Sequence, residues 1–552
     1  MKHYLQEKVA DALKSLGYPS DVAIAFEKPK QDIHGDLTSN VALALARSVG
    51  KNPRTIAQDI VRVIDVESEH IAKVEIAGPG FINFFLSKEF YQGHLPDILR
   101  QSESYGRSTV GGRKKTQVEF VSANPTGPLS VGHGRQAALG DTLANLLEWI
   151  GYDVTREYYY NNAGRQMRRL AESTFARYQQ LFDPAAPFPE DGYQGDYIRE
   201  IAERVRDRFK GSLLHADREE TLETCKRFAE NILFEDIKLV LKRLGIIFDV
   251  FFNEDSLYKD GTIDEVVKDF RAKGLAYDRD GAVWFRGSSL GLDQDRVIIK
   301  STGEPTYRLP DIAYHRDKFR RGFDLIVDVF GADHIATIPD VLAGVKALGF
   351  DAEKVNVIIH QFVTLMRDGE QVKMSKRAAT FVTLDELIDE VGPDAVRFFF
   401  LMRASSSHLE FDLNLAKEQS EKNPVYYLQY AHARIASILR FAESEGISAE
   451  AADPLRIKDR THHLTGAAEL ALLKLLLEFP DIVESSALSY EPHRLTSYLH
   501  DVATAFHRFY HEHRVVIPER DLALARIALC RASMIVLANG LKILGVSAPE
   551  RM

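Results

Sequence analysis

Residues 116–160 read TQVEFVSANPTGPLSVGHGRQAALGDTLANLLEWIGYDVTREYYY, and this stretch decides the fold. Val118 and Phe120 alternate inward, as in a strand. Leu139, Leu143, Leu146, Leu147 and Ile150 then recur at helical spacing, and YDVTREYYY reads as a second strand. Strand, helix and strand in this order form a βαβ unit, almost always right-handed and parallel. Between the first strand and the helix, residues 123–141 set two prolines and four glycines around a single histidine. A helix start at this point exposes unpaired backbone N–H groups and the positive end of the helix dipole, which makes an anion site. Gly132 and Gly134 would let a bulky ligand approach the backbone, Pro125 and Pro128 stiffen the approach, and His133 could donate a hydrogen bond to a phosphate. A tight turn with a capping histidine explains the same residues equally well.

Downstream, a charged helical segment at about 165–285 interrupts before strand patterns resume. FDLIVDVFGADH is an apolar run ending in polar residues, residues 339–349 are helix-patterned, and KVNVIIHQFVTLM is a second buried-strand pattern. Two such halves predict an α/β fold, a Rossmann-type doubly wound parallel sheet, with ligands at the carboxyl ends of its strands. The polar loop RDGEQVKMSKRAAT follows the last of these strands. There Lys373, Lys376 and Arg377 surround Ser375, and cations so placed could neutralise a departing pyrophosphate. Alone, KMSK is most often a solvated basic turn. Its pairing with a glycine–histidine loop after an early strand makes coincidence a poor explanation.

The flanks differ in character. Residues 1–108 mix helices with the closing strand pattern VEIAGPGFINFFLS and are expected to form an N-terminal α/β domain; SESYGRSTVGGRKK reads as a linker. The doubly wound domain is expected at 109–407, and 408–552 as an all-α bundle, with Leu522, Leu529, Ser533 and Val536 on one stripe after Pro518.

The 552 residues exceed what one core accommodates. No run reaches the roughly 18 uncharged apolar residues of a membrane span, and the amphipathic start has no secretory pattern. The two cysteines, Cys225 and Cys530, are far apart, which excludes a cysteine-rich zinc site and favours a reducing cytosol. The net charge of −10 does not advertise a nucleic-acid partner. Residues 424–552 are nearly balanced, with 14 Lys+Arg against 15 Asp+Glu, so a local basic face there stays open.

PLSVGHGR followed by VKMSKR is similar to the paired H-x-G-H and K-M-S-K motifs of class I aminoacyl-tRNA synthetases. Within that class the chain resembles the arginyl-tRNA synthetases along essentially its full length. The resemblance runs through IHGDLTSNVALALA, SANPTGPLSVGHGR, REYYYNNAGRQM, YQGDYI, PTYRLPDIAYH, VFGADH, KMSKRAATFVTLDELIDEVG, NPVYYLQYAHARI and the closing ALARIALCRASMIVLANGLKILGVSAPERM. It implies an N-terminal domain that touches the tRNA elbow, a Rossmann catalytic domain and a helical anticodon-binding domain. It also implies activation of L-arginine by ATP, with Mg2+ carried by the nucleotide, and transfer to the terminal ribose of tRNA(Arg). The first step in this family is expected to need bound tRNA. A cytoplasmic, membrane-free and monomeric enzyme without a resident metal is expected.

By the same resemblance, His133, Lys373 and Lys376 serve catalysis together with Ser130. Gly132, Met374 and Ser375 join His133 and Lys376 in ATP binding. A guanidinium is planar and always charged, and carboxylates grip it through paired charge-assisted hydrogen bonds. Glu119 and Asp311 are expected to bind it, with Tyr307 shaping the pocket and Ser122 and Asn124 holding the amino acid's other end. Tyr307 and Asp311 are four apart, which a helical turn would place on one face. For Glu119 alone, a surface-facing strand position is the default reading. Asp333 and His334 are expected to line the adenosine or arginine site, although a core histidine accounts for His334 nearly as well. Tyr430 and Arg434, near Tyr426 and His432, are candidates to stack on anticodon bases; Tyr426 and Tyr427 read better as bundle core. The chain departs from the family pattern at Ser130, where the first motif histidine is usual, at Asn162, where aspartate is common, and at Ala379, where glycine is common. Ser130 keeps a donor and loses the possibility of positive charge. That departure raises the alternative of a synthetase-like tRNA-binding or regulatory paralogue with weakened activation.

Overall fold

The decisive stretch forms β1 (Lys115–Glu119), α1 (Val131–Trp149) and β2 (Asp153–Tyr160), and it seeds a five-stranded sheet. The sheet gains β3 (Val250–Asn253) and, after α2 (Arg308–Arg320), β4 (Leu325–Gly331), α3 (Ile338–Leu348) and β5 (Val355–His360). Its order is β5-β4-β1-β2-β3, and every neighbouring pair is parallel. The chain runs outward from β1 in one direction and returns to its other side at β4, so the crevice at their carboxyl ends is the topological switch point. This is a computed structural model, and it describes residues 1–552 except Ser20, Lys30, 373–381, 448–450 and Ala452.

Alternation understated the burial of β1. Thr116 and Gln117 are buried along with Val118 and Glu119, because helices cover both sheet faces. α1 packs between the sheet and the helix Pro393–Leu401, and Gly140 makes this possible: a Cβ there would lie 2.2 Å from the Phe120 ring.

The segment expected as one helical insertion at 165–285 is not uniform. Helices Gly164–Gln180, Asp196–Phe209 and Arg218–Arg243 share a small core around Met167, Ile198, Ala202 and Leu233. The chain then returns to the main sheet as β3, whose Val250 pairs with Glu157. An antiparallel sheet of Ala276–Arg279, Ala282–Phe285 and Arg296–Ile299 follows. Phe251 and Phe252 give no alternation, so this short strand is invisible to periodicity.

At the N-terminus, Lys2–Ser15, Val41–Val49 and Pro53–Val63 pack on an antiparallel sheet of Leu37–Ser39, Ile71–Ala77 and Phe81–Leu86. After β5, α4 (Leu384–Val391) and α5 (Pro393–Leu401) lead to the helical part, which contains α6 (Pro424–Ser444), α7 (Ala467–Leu488), α8 (His493–Glu512) and α9 (Arg520–Leu544). α9 is long and apolar enough to cross a membrane and is mostly buried in the bundle. The helix Lys88–Gln101 packs against α7 and α9, and Gln92 donates to the Leu464 carbonyl at 2.8 Å.

Buried Arg397 on α5 joins these parts. It donates to the Leu544 carbonyl at 2.8 Å, to the Leu244 carbonyl at 2.9 Å and to Asp141 of α1 at 2.6 Å.

Candidate functional site

β1 ends at Glu119, and the chain turns sharply there. Val121 and Ser122 take φ of 69° and 43°, the left-handed region that a β-branched residue such as valine strongly disfavours. Neighbouring groups hold this strained turn in place. Tyr158 of β2 donates to the Ala123 carbonyl at 2.7 Å, and the Tyr159 amide donates to Ser122 Oγ at 3.2 Å. As a result Ser122 Oγ returns to donate to Glu119 Oε1 at 2.9 Å. Asn124 accepts from the Asn161 amide and donates to Gln166 Oε1, each at 2.9 Å.

Ser130 is the residue before the first turn of α1. Its backbone amide donates to His133 Nδ1 at 3.1 Å, and its Oγ lies 3.2 Å from the same nitrogen. With Nδ1 accepting, the neutral imidazole carries its proton on Nε2. The two glycines of the loop have different tasks. A Cβ on Gly132 would meet nothing nearer than Ser130 Oγ at 3.7 Å, so this backbone stays open to the cleft. Gly134, expected to admit a ligand, instead admits protein: a Cβ there would lie 2.5 Å from Leu384 and 2.9 Å from Phe400.

Across the cleft, Arg308 and Arg296 both donate to buried Asp340, at 2.6 and 2.9 Å, which pins the first turn of α2. Tyr307 caps that helix, is 74% exposed, and accepts the Asp311 amide at its carbonyl. Among the described residues no donor meets the Asp311 carboxylate. Burial pushes this carboxyl up to about 7, with Glu119 and Glu254 adding to the rise and His315 and Lys318 opposing it. Burial also raises Glu119, while the Lys318 ammonium pulls it down.

Glu119, Ser122, Asn124, Ser130, Gly132, His133, Tyr307, Asp311 and His334 all line one cavity of about 790 Å³ at the ends of β1 and β4. Asp333 lines it too, 3.8 Å from His334 Nε2, and the His334 ring stacks on Phe330 at 5.4 Å, partly exposed and not a core group. Lys373, Met374, Ser375 and Lys376, with Arg377 and Ala379, lie outside the described residues. Tyr430 and Arg434 sit apart on α6. The Arg434 guanidinium lies 5.5 Å from the Tyr430 ring and 5.1 Å from Tyr510 of α8, and Tyr426 stacks on Tyr430 at 6.2 Å. Tyr426 and Tyr427 are both half-buried, with Val425 and Leu428 taking the buried positions; Tyr427 packs against the bundle core and Tyr426 does not. His432 is buried and its Nδ1 lies 2.8 Å from the Pro549 carbonyl, which removes it from any stacking surface.

Several lining residues escape a reading of the sequence. Glu254 accepts from Tyr159 at 2.5 Å and from Asn161 at 2.7 Å. His360, at the end of β5, is buried with no partner on Nε2 among the described residues, and burial lowers it to about 4, so it is neutral at physiological pH. Asn162 donates to Glu230 at 2.7 Å, a bond that aspartate could not make.

Residues 3–86 match the arginyl tRNA synthetase N terminal domain, residues 94–399 the catalytic domain of class I (R) tRNA synthetases, and residues 428–552 the DALR anticodon binding domain. The chain is 53% identical over 527 residues to an arginine–tRNA ligase of Desulfotalea psychrophila, covering 95% of this chain and 94% of that one. It is 48% identical to the Salinibacter ruber arginine–tRNA ligase across 100% of both. The solved Thermus thermophilus arginyl-tRNA synthetase, 23% identical, shares the fold over 100% of both chains with a TM-score of 0.75. Because these relatives are matched from end to end and not through the catalytic part alone, the chain belongs to the arginyl-tRNA synthetase family.

Proposed function

We propose that this chain is an active arginine–tRNA ligase that converts L-arginine and ATP to arginyl-adenylate and pyrophosphate, then passes the arginyl group to the 3′-terminal adenosine of tRNA(Arg). The observation that carries this reading is the pairing, in one cleft, of two desolvated carboxylates with a helix N-terminus that bears His133. The carboxylates suit a guanidinium, and the helix start suits phosphates.

In this reading Glu119 and Asp311 hold the guanidinium and Tyr307 closes the mouth over it. Ser122 and Asn124 orient the α-amino and carboxylate end. A carboxylate oxygen attacks the α-phosphorus, a bond to the new oxygen forms, and the bond to the pyrophosphate oxygen breaks. His133 Nε2–H, the open backbone at Gly132 and the α1 N-terminus offer donors to the phosphates. Ser130 contributes one hydroxyl, and Met374 with the cations Lys373 and Lys376 and with Ser375 complete the ATP site. Positioning and charge stabilisation, not covalent catalysis, are the protein's part. Mg2+ would enter with the nucleotide. We assign tRNA elbow contact to 1–108, chemistry to 109–407 and anticodon contact to 408–552, with Tyr430 and Arg434 stacking on bases. A monomeric, cytoplasmic enzyme fits this reading.

ATP–pyrophosphate exchange with each amino acid, with and without total tRNA, tests the proposal. Exchange is expected with arginine when tRNA is present. Silence with every amino acid, together with measurable tRNA binding, would overturn it in favour of a tRNA-binding paralogue.

A further inference from the structure

Beneath the cleft floor lies a charged group that no substrate role absorbs. Lys318, two turns along α2 from Asp311, is fully buried and does not line the cavity. Its ammonium donates to Glu119 Oε2 at 2.6 Å and to Asp328 Oδ1 at 2.7 Å, and lies 4.4 Å from the Tyr314 ring centroid. The second oxygen of Asp328 lies 2.9 Å from His315 Nε2, and His315 Nδ1 lies 2.8 Å from the Asp311 carbonyl. The charged and titratable groups facing Lys318 are therefore Glu119 from β1, Asp328 from β4, and Tyr314 and His315 from its own helix. Glu157 of β2 stands behind Tyr314, and Arg321 is its partner.

We propose that Lys318 is a positioning residue for arginine recognition, keeping Glu119 ionised and turned to the cleft while Asp328 holds the other side of the ammonium. The inference rests on the reading of Glu119 as an arginine-binding carboxylate. A carboxylate buried without a cation takes up a proton, and a protonated acid is a poor partner for a guanidinium. Burial does raise Glu119, and Lys318 is the main group opposing that rise. The two carboxylates outweigh the burial of Lys318 and push it up to about 12, so its charge is secure. Glu119 and Asp328 together bring two carboxylates to the one ammonium of Lys318. A substrate guanidinium brings a further positive charge to Glu119, and an uncharged analogue does not.

The test uses the full-length enzyme in tRNA-supported pyrophosphate exchange, with KM for arginine and for ATP measured from pH 6 to 9. The double variant Lys318→Met/Asp328→Asn removes one charge of each sign, so the net charge of the cluster is unchanged while Glu119 loses its cation. It is expected to raise the arginine KM about 10- to 100-fold at pH 7, to recover part of that loss towards pH 9 as Glu119 ionises, and to leave the ATP KM within about twofold. The charge-preserving Lys318→Arg is expected to show no such pH trend. Wild-type arginine KM in the double variant, or equal losses for arginine and ATP without a pH trend, would overturn the inference. If the double variant does not fold, Asp328→Asn alone decides: the ammonium then falls to Glu119, so the arginine KM rises, and an unchanged value rejects the role. Glu119→Gln separates the two levels of argument. If it leaves the arginine KM unchanged, the pocket reading fails; if it raises that KM and the Lys318 and Asp328 variants do not, only the role of Lys318 fails.

Discussion

Asp311→Asn separates the stability of the proposed arginine pocket from its use. Burial raises the Asp311 carboxyl to about 7, against about 3.9 for an unperturbed aspartate. A carboxyl that holds its proton more tightly in the folded state destabilises the fold once ionised. That penalty is absent below about pH 4, grows between about 4 and 7, and is complete above 7. At 1.36 kcal/mol per unit, its ceiling is about 4 kcal/mol. The side chain is only half-buried, and cleft water screens it, so about 1–2 kcal/mol is the realistic gain. Asparagine keeps the shape and cannot ionise. The variant should therefore melt about 1–2 °C above wild type at pH 8 and with it at pH 4.5, in calorimetry without substrate. Its arginine KM should rise about 10- to 100-fold, the equivalent of one charge-assisted hydrogen bond. In the wild type, the arginine KM should fall as pH rises through 7, because ionised Asp311 is the form that binds. An Asn variant that melts below wild type at pH 8, or keeps the wild-type arginine KM, refutes the reasoning.

Ser130→His should raise the exchange rate with the ATP KM held within about twofold; an unchanged rate would show that this position does not limit the chemistry. Gly140→Ala should lose about 1–2 kcal/mol in denaturant unfolding, since overpacking against Phe120 exceeds the roughly 1 kcal/mol helix gain. Gly132→Ala has room and should unfold with the wild type, with its defect confined to the ATP KM. Arg397→Met leaves two buried carbonyls without a donor, while Asp141 keeps Arg156 at 3.3 Å, and should cost about 1–3 kcal/mol, read as a lower denaturant midpoint. Arg434→Ala should raise the tRNA KM several-fold through loss of a stacking cation of about 1 kcal/mol, while the arginine KM at saturating tRNA stays constant.

The parts of this molecule legible in its sequence are those where one local pattern has one physical cause. β4 and β5 are sheathed on both faces and read as apolar runs. The loop before α1 announces itself through proline, glycine and histidine, and ten expected site residues, from Glu119 to His334, share one cavity. Family motifs carried the pairing of Glu119 with Asp311, which neither residue's neighbours display. What stayed hidden depends on contacts between distant segments. Gly134 looked like a ligand approach because its packing partners, Leu384 and Phe400, arrive some 250 positions later. Lys318, in HRDKFR, looks like surface, and its partner Glu119 is 199 positions away. A periodic pattern can assign an apolar residue to the inside, but a charge goes inside only where opposite charge meets it, and that is a property of the assembled sheet. On the proposed reading, the pocket's preference for a cation rests largely on how Lys318 and Asp328 hold Glu119 and on the burial of Asp311, in the part of the site that no linear pattern shows.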